Sequence, residues 1–220
     1  MIKNMCLMPR RADFTRPRFH LYYESQHTPL ALKHIHTFGK YVRNHVQTAE
    51  PEVQFDTLSE FWFDSLDDAM AIGAWLQTPD GEILREDERK FTDQARITPF
   101  SVTESLVAGE PRVEELVPTR THMLLIGEPR QPASLTTDLE VLGRKWAAAA
   151  NLRRVVLSVT NQQPGRSSPY FAVLSGWPQA GDTGSEAVLA KMATEAAALG
   201  PVTKLTCEAV ETRRAWLRGG

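Results

Sequence analysis

Eight stretches of the chain carry strand-like patterning, and the segments between them shift to the longer period of a helix. Residues 2–9 are apolar on both faces and end at the polar turn 10–13. A helix follows, with Thr15 as its N-cap, Pro17 in its first turn and Phe19, Tyr22, Tyr23, Leu30 and Leu32 as its apolar side. Pro29 is expected to interrupt it: a residue before proline is pushed out of the α region, so Thr28 reads as the N-cap of a second helix starting at Pro29. Gly39 then opens a strand over 40–47, in which Tyr41, Arg43 and His45 share one face and Val42, Asn44 and Val46 the other. An aromatic-rich strand over 57–64 leads into a helix beginning at Ser65, with Asp67 and Asp68 at its positive end. The turn Pro79-Asp80-Gly81 precedes a charged helix over 82–94 and a strand over 97–107, which Pro99 marks as an edge or a bulge.

After a linker over 109–118 the same order returns: strand 122–127, helix 135–150, strands 153–160 and 170–176, helix 184–199 and strand 202–209, with a polar hairpin loop over 161–169. Strand, helix, strand, strand, helix, strand is the split βαβ arrangement of a ferredoxin-like fold. The expectation is an α+β chain of two tandem ferredoxin-like units, 1–110 and 119–220, related by a diverged internal duplication. Helices on one face of a four-stranded sheet leave the other face bare, and covering apolar surface is worth roughly 25 cal/mol per Å². The halves are therefore expected to pack sheet to sheet as a pseudo-dimeric α/β barrel, with a ligand cavity between the sheets.

With 42% apolar and 24% charged residues the chain is globular, and a net charge of -2 with dispersed Lys and Arg argues against a nucleic-acid partner. No apolar run approaches the roughly 20 residues that span a bilayer. No membrane partner is expected, and the N-terminus lacks the order of a signal peptide, so the expected location is cytoplasmic. Cys6 and Cys207 are too few for a disulfide framework or a zinc cluster and read as buried thiols. Neither a GxGxxG nor a Walker loop occurs, nor a nucleophile elbow, and no cofactor is expected. His34-x-His36 could chelate, but no HExxH, facial triad or cysteine pair accompanies it, so no metal is expected.

Candidate chemistry is concentrated in residues 19–46, which hold five of the six histidines and three of the four tyrosines. Beside the Pro29 break, His27 is expected to project sideways from the helix exit, with Glu24 holding one ring nitrogen and the other free for proton transfer. Its plainer role is a helix-end histidine bonded to backbone. Tyr41 can donate to a developing oxyanion or simply wall a pocket. Arg43, beside His45, can bind a carboxylate or phenolate or point at solvent. Glu60, Trp62 and Asp64 alternate onto one strand face, making Trp62 a platform for an aromatic ring and Asp64 a partner for a histidine, or else a core tryptophan and a helix cap. His20, His34 and His36 read as surface or packing residues. The second half keeps only His122 and replaces the histidine helix with KWAAAANL, so the first half is expected to carry the site and the second to act as a wall.

Residues 2 to about 107 resemble the EthD family of the dimeric α+β barrel superfamily. The resemblance rests on KNMCLMPR, on FHLYYESQHTPLALKH with its His-x-Pro, on GKYVRNHV, on EFWFDSLDDA and on ITPFSVTESLV. It implies ferredoxin-like units paired through their sheets, here as an internal pseudo-dimer, in a superfamily that includes dehydratases of polyketide and anthraquinone pathways and lactone isomerases. In a cofactor-free lactone isomerase of that superfamily a helix histidine and a second-strand tyrosine line the pocket, at positions that look like His27 and Tyr41. That isomerase also uses a cysteine on its third strand and a histidine in the loop before it; Phe61 stands in the cysteine's place here and no histidine lies between Val46 and Thr57, which leaves His45 as the residue able to substitute in space. The resemblance thus implies a cofactor-independent lyase, of dehydratase or small-aldehyde-eliminating type, acting on a small aromatic, phenolic or polyketide-like compound. Its expected catalytic residues are His27, Tyr41 and His45, with Tyr23, Arg43, Trp62 and Asp64 binding substrate. A lactone isomerase, a cofactor-free oxygenase and a non-catalytic binder of aromatic ligands remain the alternatives, and two pseudo-dimers are expected to be able to associate as a homodimer.

Overall fold

Strand β1 (Ile2–Met8) begins a computed structural model that describes residues 1–161, 168–182 and 185–217. It is followed by α1 (Arg16–Tyr22), a π-helical turn (Tyr23–His27), α2 (Thr28–His34), β2 (Phe38–Glu50), β3 (Thr57–Phe63), α3 (Leu66–Trp75), α4 (Glu82–Phe91) and β4 (Thr98–Gly109). The second half runs β5 (Thr119–Ile126), α5 (Leu135–Ala149), β6 (Arg154–Thr160), β7 (Ala172–Trp177), α6 (Ser185–Ala196), β8 (Val202–Glu211) and the short α7 (Arg214–Leu217). Each strand expected from the patterning is present. Most of the hairpin loop expected over 161–169, and the helix start expected at 184, lie outside the described residues.

The local signals act as their chemistry requires. The Thr15 hydroxyl accepts from the Arg18 N–H, and Ser65 and Asp68 form a reciprocal capping box at the start of α3. Pro29, however, does not break the helix. Thr28 keeps helical angles (φ -60°, ψ -48°), and its N–H bonds the Tyr23 carbonyl five residues back. A proline ring clashes with the carbonyl four residues before it, here that of Ser25. Widening the preceding turn to π spacing moves that carbonyl aside, so the chain runs through Pro29 and Thr28 caps nothing.

The strands form one closed antiparallel barrel in the order β1-β3-β2-β8-β5-β7-β6-β4. Two seams join the halves: β2 pairs with β8, with Val46 opposite Cys207, and β4 pairs with β6, with Ser105 opposite Leu157. Pro99 sits on β4 opposite Cys6 of β1, before the pairing with β6 starts at Val102, so its missing N–H costs no ladder bond on that side.

The barrel form meets the expectation, but the placing of its cavity does not. The two sheets meet along their edges, and the face each turns inward is consumed by the lumen. Met5, Leu7, Val46, Leu58, Met123 and Leu205 project there and are buried, filling the barrel as side chains do in small closed sheets. One end of the lumen is charged: Lys3 lies between Glu60 and Glu104, and Arg112 from the linker donates to Glu60 at 2.9 Å while stacking 4.6 Å from the Trp62 ring centroid. The helices lie outside, over the opposite face of the strands.

Candidate active site

Alternation along β2 and β3 decides which side chains can meet. Val42, Asn44 and Val46, with Leu58, Glu60 and Trp62, turn into the lumen; Tyr41, Arg43 and His45, with Thr57, Ser59 and Phe61, turn out toward α1, the π turn and α4. Between that outer face and the helices of the first half lies a cleft of about 350 Å³, lined by Tyr23, His27, Tyr41, Phe61, Leu84 and Glu88 among others. In the corresponding layer of the second half, the described side chains around Gly176 and His122 are tightly packed. Trp146 and Leu152 press so closely on Gly176 that a Cβ there would lie 2.8 Å from each, and His122 is locked between Ser185 (2.9 Å) and Thr206 (3.0 Å).

The π turn supplies the first chemical group. His27, 6% exposed, directs Nδ1 to Asp87 Oδ2 at 2.9 Å, and its Nε2 has no protein partner among the described residues on the cleft side. Asp87 also accepts the Tyr22 hydroxyl at 2.7 Å. Burial opposes ionisation of Asp87, yet the hydrogen bonds from His27 and Tyr22 outweigh it and hold the carboxyl below its usual range. An ionised carboxylate on Nδ1 fixes the tautomer that leaves the Nε2 lone pair open. The expected Glu24–His27 pairing is thus corrected. Glu24 instead takes Arg43 (Nε to Oε1 3.0 Å, Nη2 to Oε2 2.6 Å) and His45 (Nε2 to Oε1 2.6 Å), because the wider turn rotates it toward β2.

Tyr41 and Tyr23 form the second group. The Tyr41 hydroxyl donates to that of Tyr23 at 3.1 Å, which lies 2.8 Å from the Ser59 hydroxyl. Burial pushes Tyr41 up to about 12 and raises Tyr23 as well, so both remain protonated donors at neutral pH. Phe61 stacks on Tyr41 with centroids 4.8 Å apart, giving the cleft an aromatic wall, and burial pushes the lining Cys6 thiol up, out of reach of ionisation.

Of the seven residues singled out in the sequence, His27, Tyr23 and Tyr41 meet in the cleft. His45 and Arg43 share the strand face but are engaged elsewhere: His45 is held on both nitrogens by Glu24 and Thr57, and Arg43 by Glu24 and Thr212. Trp62 is in the lumen, 4.6 Å from Lys3, and so cannot hold a ring against His27. Asp64 is exposed beyond the end of β3, beside Gly39. His20, expected as a surface or packing residue, is partly buried, donates to the Asp56 carbonyl at 3.0 Å and packs its ring, tilted, against that of His45 with centroids 4.3 Å apart. His34 stacks on Trp75, and no three His, Cys, Asp or Glu side chains converge as metal ligands among the described residues.

Asp87 and Glu88 escaped the sequence argument. Their signal lies in α4, where Leu84, Asp87 and Phe91 are buried in an otherwise charged helix: an acid on the apolar stripe needs a partner. A wider depression of about 610 Å³ lies at the second-half strand ends around Arg120, Arg153 and Gln179, but its described lining includes no histidine and no acid–base pair like that of the cleft.

Residues 11–95 match a family model described as the EthD domain. No curated protein matches the chain. Among solved structures, a candidate monooxygenase from Fusobacterium nucleatum superposes with a TM-score of 0.58 at 5% identity, covering 94% of this chain and 91% of its own. An anthrone oxidase-like protein gives 0.57 at 13% identity, covering 96% and 92%. The chlorite dismutase of Candidatus Nitrospira defluvii gives 0.51 at 11% identity, covering 99% and 93%. Identities this low establish a shared fold.

Proposed function

We propose that this chain, which carries an EthD domain in its first half and closes as an eight-stranded α+β barrel, is an enzyme that moves protons on a small aromatic, phenolic or polyketide-like compound. The observation that carries this is the His27 ring: one nitrogen held by an ionised carboxylate, the other open on an aromatic-walled cleft. An imidazole so placed can act as a general base, for a contribution of about 10²–10⁴-fold. Tyr41 and Tyr23 can turn a hydroxyl toward an enolate or phenolate oxygen formed beside them. The strand order β4-β1-β3-β2, repeated as β8-β5-β7-β6, supports two ferredoxin-like units within one chain, and the cleft with His27 supports the first as the active one.

Elimination is the reaction this set serves most directly, since it needs a base, a donor to the developing oxyanion and exclusion of water. A dehydratase or aldehyde-releasing lyase follows. A cofactor-free oxygenase is the second reading, favoured by the names of two of the similar folds described above and by the same cleft, where a phenolate formed by His27 could meet dioxygen. The two part on one measurement: conversion of a β-hydroxy ketone bearing a nitrophenyl ring, followed by enone absorbance in air and under argon. Equal rates support the lyase; oxygen uptake matched to conversion supports the oxygenase. No conversion and no exchange of the proton next to the carbonyl would remove both.

A further inference from the structure

A second ionisable group opens on the cleft. Glu88 follows Asp87 on α4 and lies one turn beyond Leu84, and both Leu84 and Glu88 line the same space as His27. Its situation is unlike that of the other inward-turned acids. Glu24 is matched by Arg43, Glu60 by Lys3 and Arg112, and Asp56 by Arg10 and Arg16. Glu88 Oε2 accepts from the neutral Gln94 amide at 3.2 Å, and among the described residues no lysine or arginine nitrogen lies within 4.0 Å of its carboxyl.

The groups facing it are His27 from the π turn, Cys6 from β1, and Asp87 and Arg85 from its own helix. Burial dominates and raises the carboxyl; His27 and the Gln94 bond pull it down less strongly, and Asp87 adds to the rise. Asp87 and Glu88 are therefore neighbours pushed in opposite directions, one held as the anion that orients the imidazole, the other holding its proton longer than an ordinary glutamate. Paired titratable groups separated in this way divide acid and base roles.

We propose that Glu88 gives its proton to the departing oxygen while His27 withdraws one from the adjacent carbon, so that the cleft expels water from an aromatic β-hydroxy carbonyl compound. This rests on His27 acting as the base of the preceding section. In the step the C–H bond breaks and its proton goes to Nε2; the freed pair forms the carbon–carbon double bond; the C–O bond breaks, and the oxygen leaves as water with the Glu88 proton. Imidazolium and carboxylate remain, and transfer of one proton from the first to the second, through a water, restores both. Tyr41 and Tyr23 hydrogen-bond the carbonyl oxygen as its charge grows. No oxidant or reductant enters.

The test uses the full chain, the nitrophenyl β-hydroxy ketone and deuterated water. Wild type should both exchange the hydrogen next to the carbonyl and form the enone. Glu88→Gln should keep the exchange and lose enone formation by about 10²-fold or more, whereas His27→Ala should lose both. Enone formation by Glu88→Gln at the wild-type rate would overturn the role of Glu88 and leave the base in place. Absence of exchange in wild type would instead overturn the base. A carbon-13 titration of the Glu88 carboxyl in the unmodified protein reads the same proposal without turnover or mutation. A midpoint above the ordinary glutamate value is expected, and one at or below it would end the proposal.

Discussion

His27 Nδ1 and Asp87 Oδ2 stand 2.9 Å apart across 60 residues of chain, so the imidazole is held by a helix from the far end of the first half. Two residues acting as one base should not add when removed. His27→Ala is expected to lower kcat by about 10²–10⁴-fold, Asp87→Ala by a smaller factor through kcat rather than KM, and the double variant no more than His27→Ala alone. Steady-state kinetics of the three variants check this, with far-ultraviolet circular dichroism confirming that each is folded.

Glu24→Gln is expected to destabilise the protein by about 3 kcal/mol, because it strips the partner from a buried guanidinium. Arg43 is 2% exposed and has its bidentate bond to Glu24. Burial resists ionisation of Glu24, but His45 and Arg43 together bring it down to about 2 from an ordinary 4.5. A depressed carboxylate contributes stability that is complete above 4.5 and is lost as pH falls toward 2. The difference in Tm between wild type and Glu24→Gln should therefore shrink over that interval. A difference that stayed constant from pH 5 to pH 2 would contradict it.

His20 should set a second, milder acid limit. Burial first, and the neighbouring His45 second, push it down to about 4 from 6.5. The folded state thus favours the neutral ring; stability is complete above 6.5 and declines as pH falls to about 4. His20→Gln should flatten the Tm profile across this range while leaving the plateau above pH 7 close to that of wild type.

Gly109→Ala should cost more than about 1 kcal/mol in chemical denaturation. Gly109 ends β4 at φ +84°, and a Cβ there would lie 2.2 Å from the Arg153 carbonyl oxygen. Gly181→Ala, also at positive φ but with open space around it, carries the backbone strain without the collision and should cost less.

Period and punctuation made the strands legible: the alternation in GKYVRNHV places Tyr41 opposite in sense to Val42, and the structure keeps that division between helix layer and lumen. The same alternation, applied to β3, should have separated Trp62 from Tyr41, but facing depends on how two strands register, and Tyr41 proves to sit opposite Phe61. The seams between β2 and β8 and between β4 and β6 were not legible because edge pairing leaves no mark in composition. Pro29 misled for a different reason. Its local rule holds for an α-helix, and the turn before it is not one. Asp87 lay in a helix whose many charges concealed the acid on its buried side.

The two seams also bear on how many clefts one ring of strands can hold. Because each half lends its outer strands to the other, a stretch equivalent to the first half, cut loose, would present two bare borders of the complementary kind. Two such pieces could zip into a ring with a histidine cleft on either flank. With both halves in one polypeptide, the flank of the second is packed with Trp146 and its neighbours while the first keeps its cleft, so the ring is lopsided, with a rigid buttress behind the cleft.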